Sequence, residues 1–215
     1  MKNMKFNSFL LFLLLPICLC ASDWTLEVRG AYFQPSSKQF RKVYSSCLID
    51  YQVETSKRVH PLFEVWAGIN WMNKKGNLRD DYSMFKQKNR IYILPLTLGF
   101  KFTYPLTNYL DIYTGAGACY SFLHIKHRWE DFSRDSSYSS YFSSLKKHIS
   151  KHGVGVVAKV GLRWTIGPTT FIDLFADYFV QQFHFSRKHD FNGNHVWKHL
   201  NCDGLKLGAG FGVYF

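Results

Sequence analysis

The feature that most constrains this chain is a two-residue alternation of apolar with charged or small side chains, which runs through most of its length. The last stretch is the clearest case, because one face carries only apolar residues, namely Leu205, Leu207, Ala209, Phe211, Val213 and Phe215. Side chains of a β-strand point alternately to opposite faces, whereas the 3.6-residue period of a helix is almost absent here. We therefore predict eight strands, at 24–34, 46–59, 62–73, 88–103, 109–123, 152–166, 170–185 and 203–215.

The connections between these strands alternate in length. The short turns, each with a proline, are at 59–61, 104–108 and 167–169. The long polar loops are at 35–45, 74–87, 124–151 and 186–202. In an up-and-down meander, this alternation places all short turns at one end, and an even number of strands brings both termini to that end. The fold class predicted is all-β, an eight-stranded antiparallel up-and-down transmembrane β-barrel.

The N-terminus has the pattern of an export signal. Two lysines precede an apolar run from Phe9 to Cys20, and small residues follow it. That run of about 12 residues is too short for a membrane-spanning helix, which needs about 20. We predict a signal peptide at 1–21 and a barrel domain at 22–215, with the exact cleavage site left open. Lipid attachment to Cys20 is disfavoured by the bulky Leu19 before it.

Two features decide which face of the strands meets lipid, since a soluble barrel of lipocalin type would show the same alternation. The charged face carries ten of the fifteen glycines: Gly68, Gly99, Gly115, Gly117, Gly153, Gly155, Gly161, Gly208, Gly210 and Gly212. Glycine suits a crowded interior, and the inside of eight strands is narrow. The apolar face has aromatic residues near the strand ends: Trp24, Tyr32, Trp71, Tyr92, Phe102, Tyr109, Tyr120, Trp164, Tyr178 and Phe215. Such girdles predict that the apolar face meets lipid.

The interior predicted by this parity holds nearly balanced charges. Its acidic residues are Glu27, Asp50, Glu54, Glu64, Asp111, Asp173 and Asp177, and its basic residues are Arg29, Arg58, Lys101, Lys159, Arg163 and Lys206. Buried charge is costly unless it is paired, so we predict an ion-pair network that plugs the barrel. Acid-base catalysis by the clustered carboxylates is the alternative. Because pairing accounts for them, no catalytic residue is predicted.

The net charge of +12 then falls mainly on the long loops. Basic loops at an outer leaflet suit the phosphates of lipopolysaccharide or another surface polyanion. A merely solvated loop surface is the alternative. Nucleic acid is not an expected partner, because the chain carries an export signal and no recognition motif.

Several strands resemble those of a known family. The segments 94–102 with 110–118, and 153–163 with 171–178, are similar to strand pairs of small outer-membrane β-barrel proteins, the group that holds the OmpA membrane domain, OmpX and OmpW. The closing residues Phe211, Val213 and Phe215 resemble the terminal signal that the barrel-assembly machinery recognises in that family. The resemblance implies an outer-membrane location and assembly by that machinery. It leaves activity open, because members include structural proteins, adhesins, hydrophobic-solute channels and lipid-modifying enzymes.

Three further functions remain as alternatives. An OmpW-like channel for small hydrophobic solutes is the first. The second is a lipid-modifying enzyme, for which Ser121, His124 and Glu130 lie in the zone near the outer rim. The third is contact with a host or envelope surface partner through the serine- and tyrosine-rich loop 131–151, a composition that also fits a plain solvated loop.

Histidines raise the question of a metal site. His195, His199 and Cys202 have a spacing that fits zinc or copper, and His148 and His152 are four residues apart. No second strong cluster supports them, so neither a metal nor a cofactor is predicted.

The mature chain has three cysteines, Cys47, Cys119 and Cys202. An odd number in an oxidising compartment permits one disulfide with one thiol left over. The sequence leaves the pairing open.

Overall fold

The structure, a computed structural model, describes residues 23–44, 46–79, 86–130, 148–184 and 199–215. The predicted signal peptide lies outside these residues. The elements in chain order are β1 (Trp24–Pro35), α1 (Lys38–Tyr44), β2 (Leu48–His60), β3 (Phe63–Arg79), β4 (Lys86–Thr107), β5 (Leu110–Glu130), β6 (His148–Thr165), β7 (Thr170–His184), β8 (His199–Asn201) and β9 (Gly204–Tyr214). Within the described ranges, no helix has the length and apolar character needed to cross a membrane.

Eight of these strands close into an antiparallel barrel. Each long strand pairs with its neighbours in sequence, and β9 pairs with both β7 and β1. The closing register places Val213 opposite Leu26. The start of β1 and the end of β9 meet at the end with the short turns, where the Asp23 amide donates to the Phe215 carbonyl oxygen at 3.1 Å. The predicted eight-stranded up-and-down barrel is confirmed. The short β8 adds three pairs at the outer end of β7.

The prolines disturb the ladder less than the sequence suggested. The predicted turn at 104–108 is wrong, because β4 continues through Pro105 and the turn is the two residues Asn108 and Tyr109. An irregular register after Pro105 accommodates its missing N–H at the end of the strand. Within β4, Pro95 coincides with a break in the pairing to β3.

Four strands extend well beyond the predicted wall, so most of the predicted loop 74–87 and the flanks of 124–151 are strand. In the extensions of β5 and β6, the inward residues include the buried Ile125 and the partly buried Ile149, which pack against Ile91, Ile93 and Leu123 of the predicted wall. Their outward neighbours are polar, which made the segments resemble loops. Packing of the inward side chains against one another explains why the ladders continue.

The predicted loop 35–45 contains the helix α1. Ser37 caps it, since its hydroxyl accepts from the Phe40 amide at 3.3 Å. Phe40 and Tyr44 lie one turn apart, with ring centroids 5.0 Å from each other, and both are buried. The helix has only seven residues, and its apolar positions Phe40, Val43 and Tyr44 span little more than one turn, which is too short for a helical period to stand out in the sequence.

The two faces of the wall are oriented as the glycines and aromatics predicted. On β1, Val28 points outward and is 62% exposed, whereas Arg29 points inward and is 1% exposed. Inward glycines make room for large side chains: a methyl group at Gly161 would overlap the Tyr113 ring, and one at Gly212 would overlap Phe171.

Candidate functional site

Arg29 is the centre of a buried cluster of charges in the middle of the barrel. Its guanidinium lies 2.8 Å from Asp173, 3.1 Å from Glu27, 3.2 Å from Glu54 and 3.6 Å from Asp177. A guanidinium presents five N–H donors in a planar fork, so it can contact several carboxylates at once. One guanidinium therefore joins acids from three strands, β1, β2 and β7, and it reaches β5 through a 2.7 Å hydrogen bond to the Tyr113 hydroxyl.

Two lysines complete this central cluster. Lys101 and Lys159 both bind Glu54, and Lys159 also lies 3.3 Å from Asp177. Lys159 sits 4.2 Å above the buried Trp66 ring, which adds a cation–π contact. The cluster thus holds four carboxylates and three cations, and its strands are linked across the interior rather than only along the wall.

A second group of charges lies toward the end with the short turns. Arg163 donates two hydrogen bonds to Glu64, at 3.0 and 3.3 Å, and Ser56 donates a third at 3.0 Å. Arg58 lies 3.7 Å from the same carboxylate, but its side chain is 41% exposed. Asp111 is half-buried beside them. Arg58 and Asp111 therefore line the mouth of the barrel, while the other predicted interior residues are buried.

The third group marks the outer limit of the charges. Lys206 lies 2.7 Å from Asp50, whose other contacts are the side-chain amides of Gln52 and Asn70. The Lys206 ammonium also sits 4.7 Å above the Phe179 ring. Every predicted interior residue is thereby placed in one of three levels along the barrel axis.

Above Lys206 the interior changes from charged to apolar, which the sequence analysis missed. Buried side chains from the wall strands other than β9, from α1 and from Cys202 just before β9 form this outer plug: Phe33, Phe40, Tyr44, Leu48, Met72, Ile91, Ile93, Cys119, Leu123, Ile125, Val157, Phe179, Phe183 and Cys202, and Trp66 continues the apolar cluster down to Lys159. Burial raises the pKa of Tyr44 to about 12. A signal for the plug was present in the sequence: Phe33, Met72 and Phe183 occupy inward positions of the predicted strands but carry no charge.

The outer wall is apolar over a height that fits a bilayer. On β4, the outward residues run from Tyr92 to Tyr104, about 12 residues or roughly 30 Å at a tilt of about 40°. Tyr104, Tyr109 and Trp164 lie at the short-turn end, and Trp71 lies near the opposite end. This is the arrangement of aromatic girdles around a lipid-facing band.

A cleft opens in the wall near its outer end. It lies between β6 and β7, whose pairing runs from Gly155 opposite Gln181 down to Thr165 opposite Phe171. The cleft measures about 630 Å³, and Tyr120, Val156 and Val180 are among its apolar lining residues.

The residues considered for lipid chemistry are not brought together. Ser121 is fully buried on the inner face of β5, where its hydroxyl contacts the Cys119 thiol at 3.2 Å. His124 is on the outer face of the same strand and bonds Ser150 at 2.8 Å. The side chain of Glu130 lies outside the described residues. A nucleophile and base on opposite faces of one strand cannot exchange a proton directly.

The histidine pairs also lose their helical geometry. His148 and His152 belong to a strand, so four residues separate them by about 13 Å. His195 and the His199 side chain lie outside the described residues. Cys202 is buried, which raises the pKa of its thiol, and the adjacent Asp203 acts in the same direction. In the described part of the chain, no three histidine, cysteine or acidic side chains form a metal-sized group. All three cysteines are free thiols.

The residues of the predicted assembly signal lie on β9, the strand that closes the barrel. Phe211 and Phe215 are exposed on the outer wall, and Val213 between them is half-buried. Phe211 is opposite Ile172 of β7, and Val213 is opposite Leu26 of β1. These side chains are part of the lipid-facing surface.

Comparison with known proteins identifies the fold. No protein-family model and no curated protein sequence matches the chain. The outer membrane protein OprG from Pseudomonas aeruginosa is similar in structure, with a TM-score of 0.63 and 15% identity over 91% of this chain and 96% of that one. Neisserial surface protein A is similar with a TM-score of 0.56 and 12% identity, over 90% and 98% of the two chains. The fold, with its apolar outer wall, is that of small outer-membrane β-barrel proteins.

Proposed function

We propose that this chain is a structural protein of the cell outer membrane whose basic outer surface contacts lipopolysaccharide phosphates. The observation that carries the proposal is the distribution of charge. The buried interior holds five basic and six acidic side chains, so all of the positive net charge of the chain lies outside it. Ion pairs and the outer plug fill the interior, which leaves the outer surface as the part available for binding.

A salt-dependent binding measurement tests this function. The refolded barrel in non-ionic detergent is titrated with diphosphorylated lipid A, and lipid A without phosphates is the control. Binding is expected to require the phosphates and to weaken between 50 and 300 mM salt, because screening shortens the reach of surface charge. Equal binding of the two lipids, or no dependence on salt, would contradict the proposal.

The serine- and tyrosine-rich loop 131–151 supports contact with a host or envelope surface partner as an additional role. Only its last residues, 148–151, are among the described residues. Replacing residues 131–147 with a Gly/Ser linker leaves β6 intact and tests the loop alone. Reduced adhesion of cells that carry the replacement is expected, and unchanged adhesion would remove this role.

A second candidate is passage of small hydrophobic solutes, and the cleft between β6 and β7 favours it. The ion pairs block an axial pore, so a solute would enter through the wall. Val180→Trp fills the cleft from its lining and is expected to slow solute uptake into proteoliposomes, with the lipid-facing Val160→Trp as the control. Equal uptake by both variants, or steady ion conductance in planar bilayers, would contradict this path.

A further inference from the structure

Four neighbouring strands place a basic side chain at one height of the outer wall. Lys75 of β3 is opposite Arg90 of β4, Arg90 is opposite Lys126 of β5, and Lys126 is opposite His148 of β6. All four side chains are exposed. Because adjacent strands are about 4.8 Å apart, this basic row extends over about 15 Å.

The two central cations of the basic row are held in position. The Arg90 Nε donates to the Asn73 side-chain oxygen at 3.1 Å. Arg90 and Lys126 both lie over the ring of Tyr92, at 5.1 and 5.5 Å. The shared ring brings both charges to one place on the wall.

Like charges directly opposite each other on neighbouring strands destabilise a sheet. The acidic side chains that the structure describes lie inside the barrel or at its ends, and none of them faces outward beside the basic row. Within that part of the chain, nothing neutralises Lys75, Arg90 and Lys126. A bound anion would relieve the repulsion.

The position of the basic row relates it to lipid. Four residues down the same strands from Arg90 and Lys126, the outward side chains are Leu94 and Phe122, and Leu96 and Tyr120 follow. Leu96 and Tyr120 also line a shallow depression of about 330 Å³, together with Leu98 and Ala118. The basic row is therefore just above the apolar band, where lipid headgroups lie.

We propose that the basic row is a binding site for the phosphate groups of one class of ligand, a phosphorylated lipid of the outer leaflet, whose acyl chains lie against Leu94, Leu96 and Phe122. Arg90 and Lys126 supply the central contacts, and Lys75 and His148 flank them. The site deepens the proposed function, on which it rests, by locating phosphate contact on the barrel wall rather than in the loops.

The test compares two variants with equal loss of charge. Arg90→Gln/Lys126→Gln removes the centre of the row, and Lys57→Gln/Arg58→Gln removes the same two residue types at the opposite end of the barrel. Both proteins are refolded in non-ionic detergent and titrated with diphosphorylated lipid A. Each basic residue near an anionic lipid contributes about five-fold in affinity, so the row variant is expected to bind roughly 30-fold more weakly. The control variant is expected to stay within two-fold of the wild type.

Inorganic pyrophosphate distinguishes a lipid site from a site for free phosphate. It lacks acyl chains to bind Leu94 and Phe122, so it is expected to compete weakly with lipid A. Competition at equal phosphate concentration would overturn the assignment to lipid. Unchanged lipid A binding by Arg90→Gln/Lys126→Gln would overturn the site while leaving loop contact intact. If the wild type itself does not prefer the phosphorylated lipid, the proposed function is wrong as well.

Discussion

Replacing Arg29 with methionine tests whether the interior ion pairs stabilise the barrel. Arg29 is 1% exposed and lies within 3.6 Å of four carboxylates. Arg29→Met leaves these four acids with only Lys101 and Lys159. Removing one partner of a buried ion pair costs about 3–5 kcal/mol, because the other charge stays buried without compensation. We expect a loss of about 4 kcal/mol or more in the free energy of unfolding.

Urea unfolding of the refolded barrel in micelles, followed by tryptophan fluorescence, measures this loss. Heating-dependent mobility on an SDS gel reports whether the barrel closes at all. Arg58→Met at the exposed mouth is the matched control and should cost less than about 1 kcal/mol. Arg29→Lys keeps the charge but loses the planar fork, so it should fall between the two.

Two outcomes decide the interpretation. Arg29→Met/Asp173→Asn removes a cation together with its nearest carboxylate, so it should be more stable than Arg29→Met alone. This comparison remains informative if the single variant does not fold. A stability of Arg29→Met within about 1 kcal/mol of the wild type would refute the idea that paired charge holds the interior together.

Two other predictions concern packing. Gly161→Ala would force a methyl group into the Tyr113 ring and should lower the free energy of unfolding in urea by about 1–3 kcal/mol. The control Gly30→Ala meets open space and should cost nothing measurable. Equal losses in the two variants would contradict the account of a crowded interior. Alkylation of the folded barrel at pH 8 should modify the half-buried Cys47 and spare the buried Cys119 and Cys202. Burial also raises the pKa of the Cys202 thiol. Phe40→Ala should expose Cys202 to the reagent by opening the plug, with the gel shift retained, and protection of Cys202 in that variant would show that α1 does not cover it.

The architecture was predictable because one physical constraint acts on every strand. Residues such as Val28 and Arg29 must point to opposite faces, and the glycines beside Arg29 and Phe171 identify the crowded face. Parity alone therefore gave the interior residues and their balance of charge. It could not give the pairing, since which strand of the closed barrel lies opposite Arg29 depends on the shear between strands.

The outer half of the interior was not predictable in the same way. Ile125 and Ile149 alternate with Lys126, His148 and Ser150, so these segments read as a polar loop although Ile125 is core and Ile149 packs against it. The basic row was hidden for a related reason. Lys75, Arg90, Lys126 and His148 are distant in sequence, and only the register between strands places them side by side.

The pairing of β1 with β9 has a consequence for biogenesis. The first strand finds its second neighbour only among residues 204–214, so the cylinder has a seam that stays open until the polypeptide is complete. Contacts so remote in sequence form slowly, which leaves the exported polypeptide with two unsatisfied ladder edges in the meantime. A truncation before Gly204 would therefore yield a curled sheet prone to aggregation rather than a smaller cylinder.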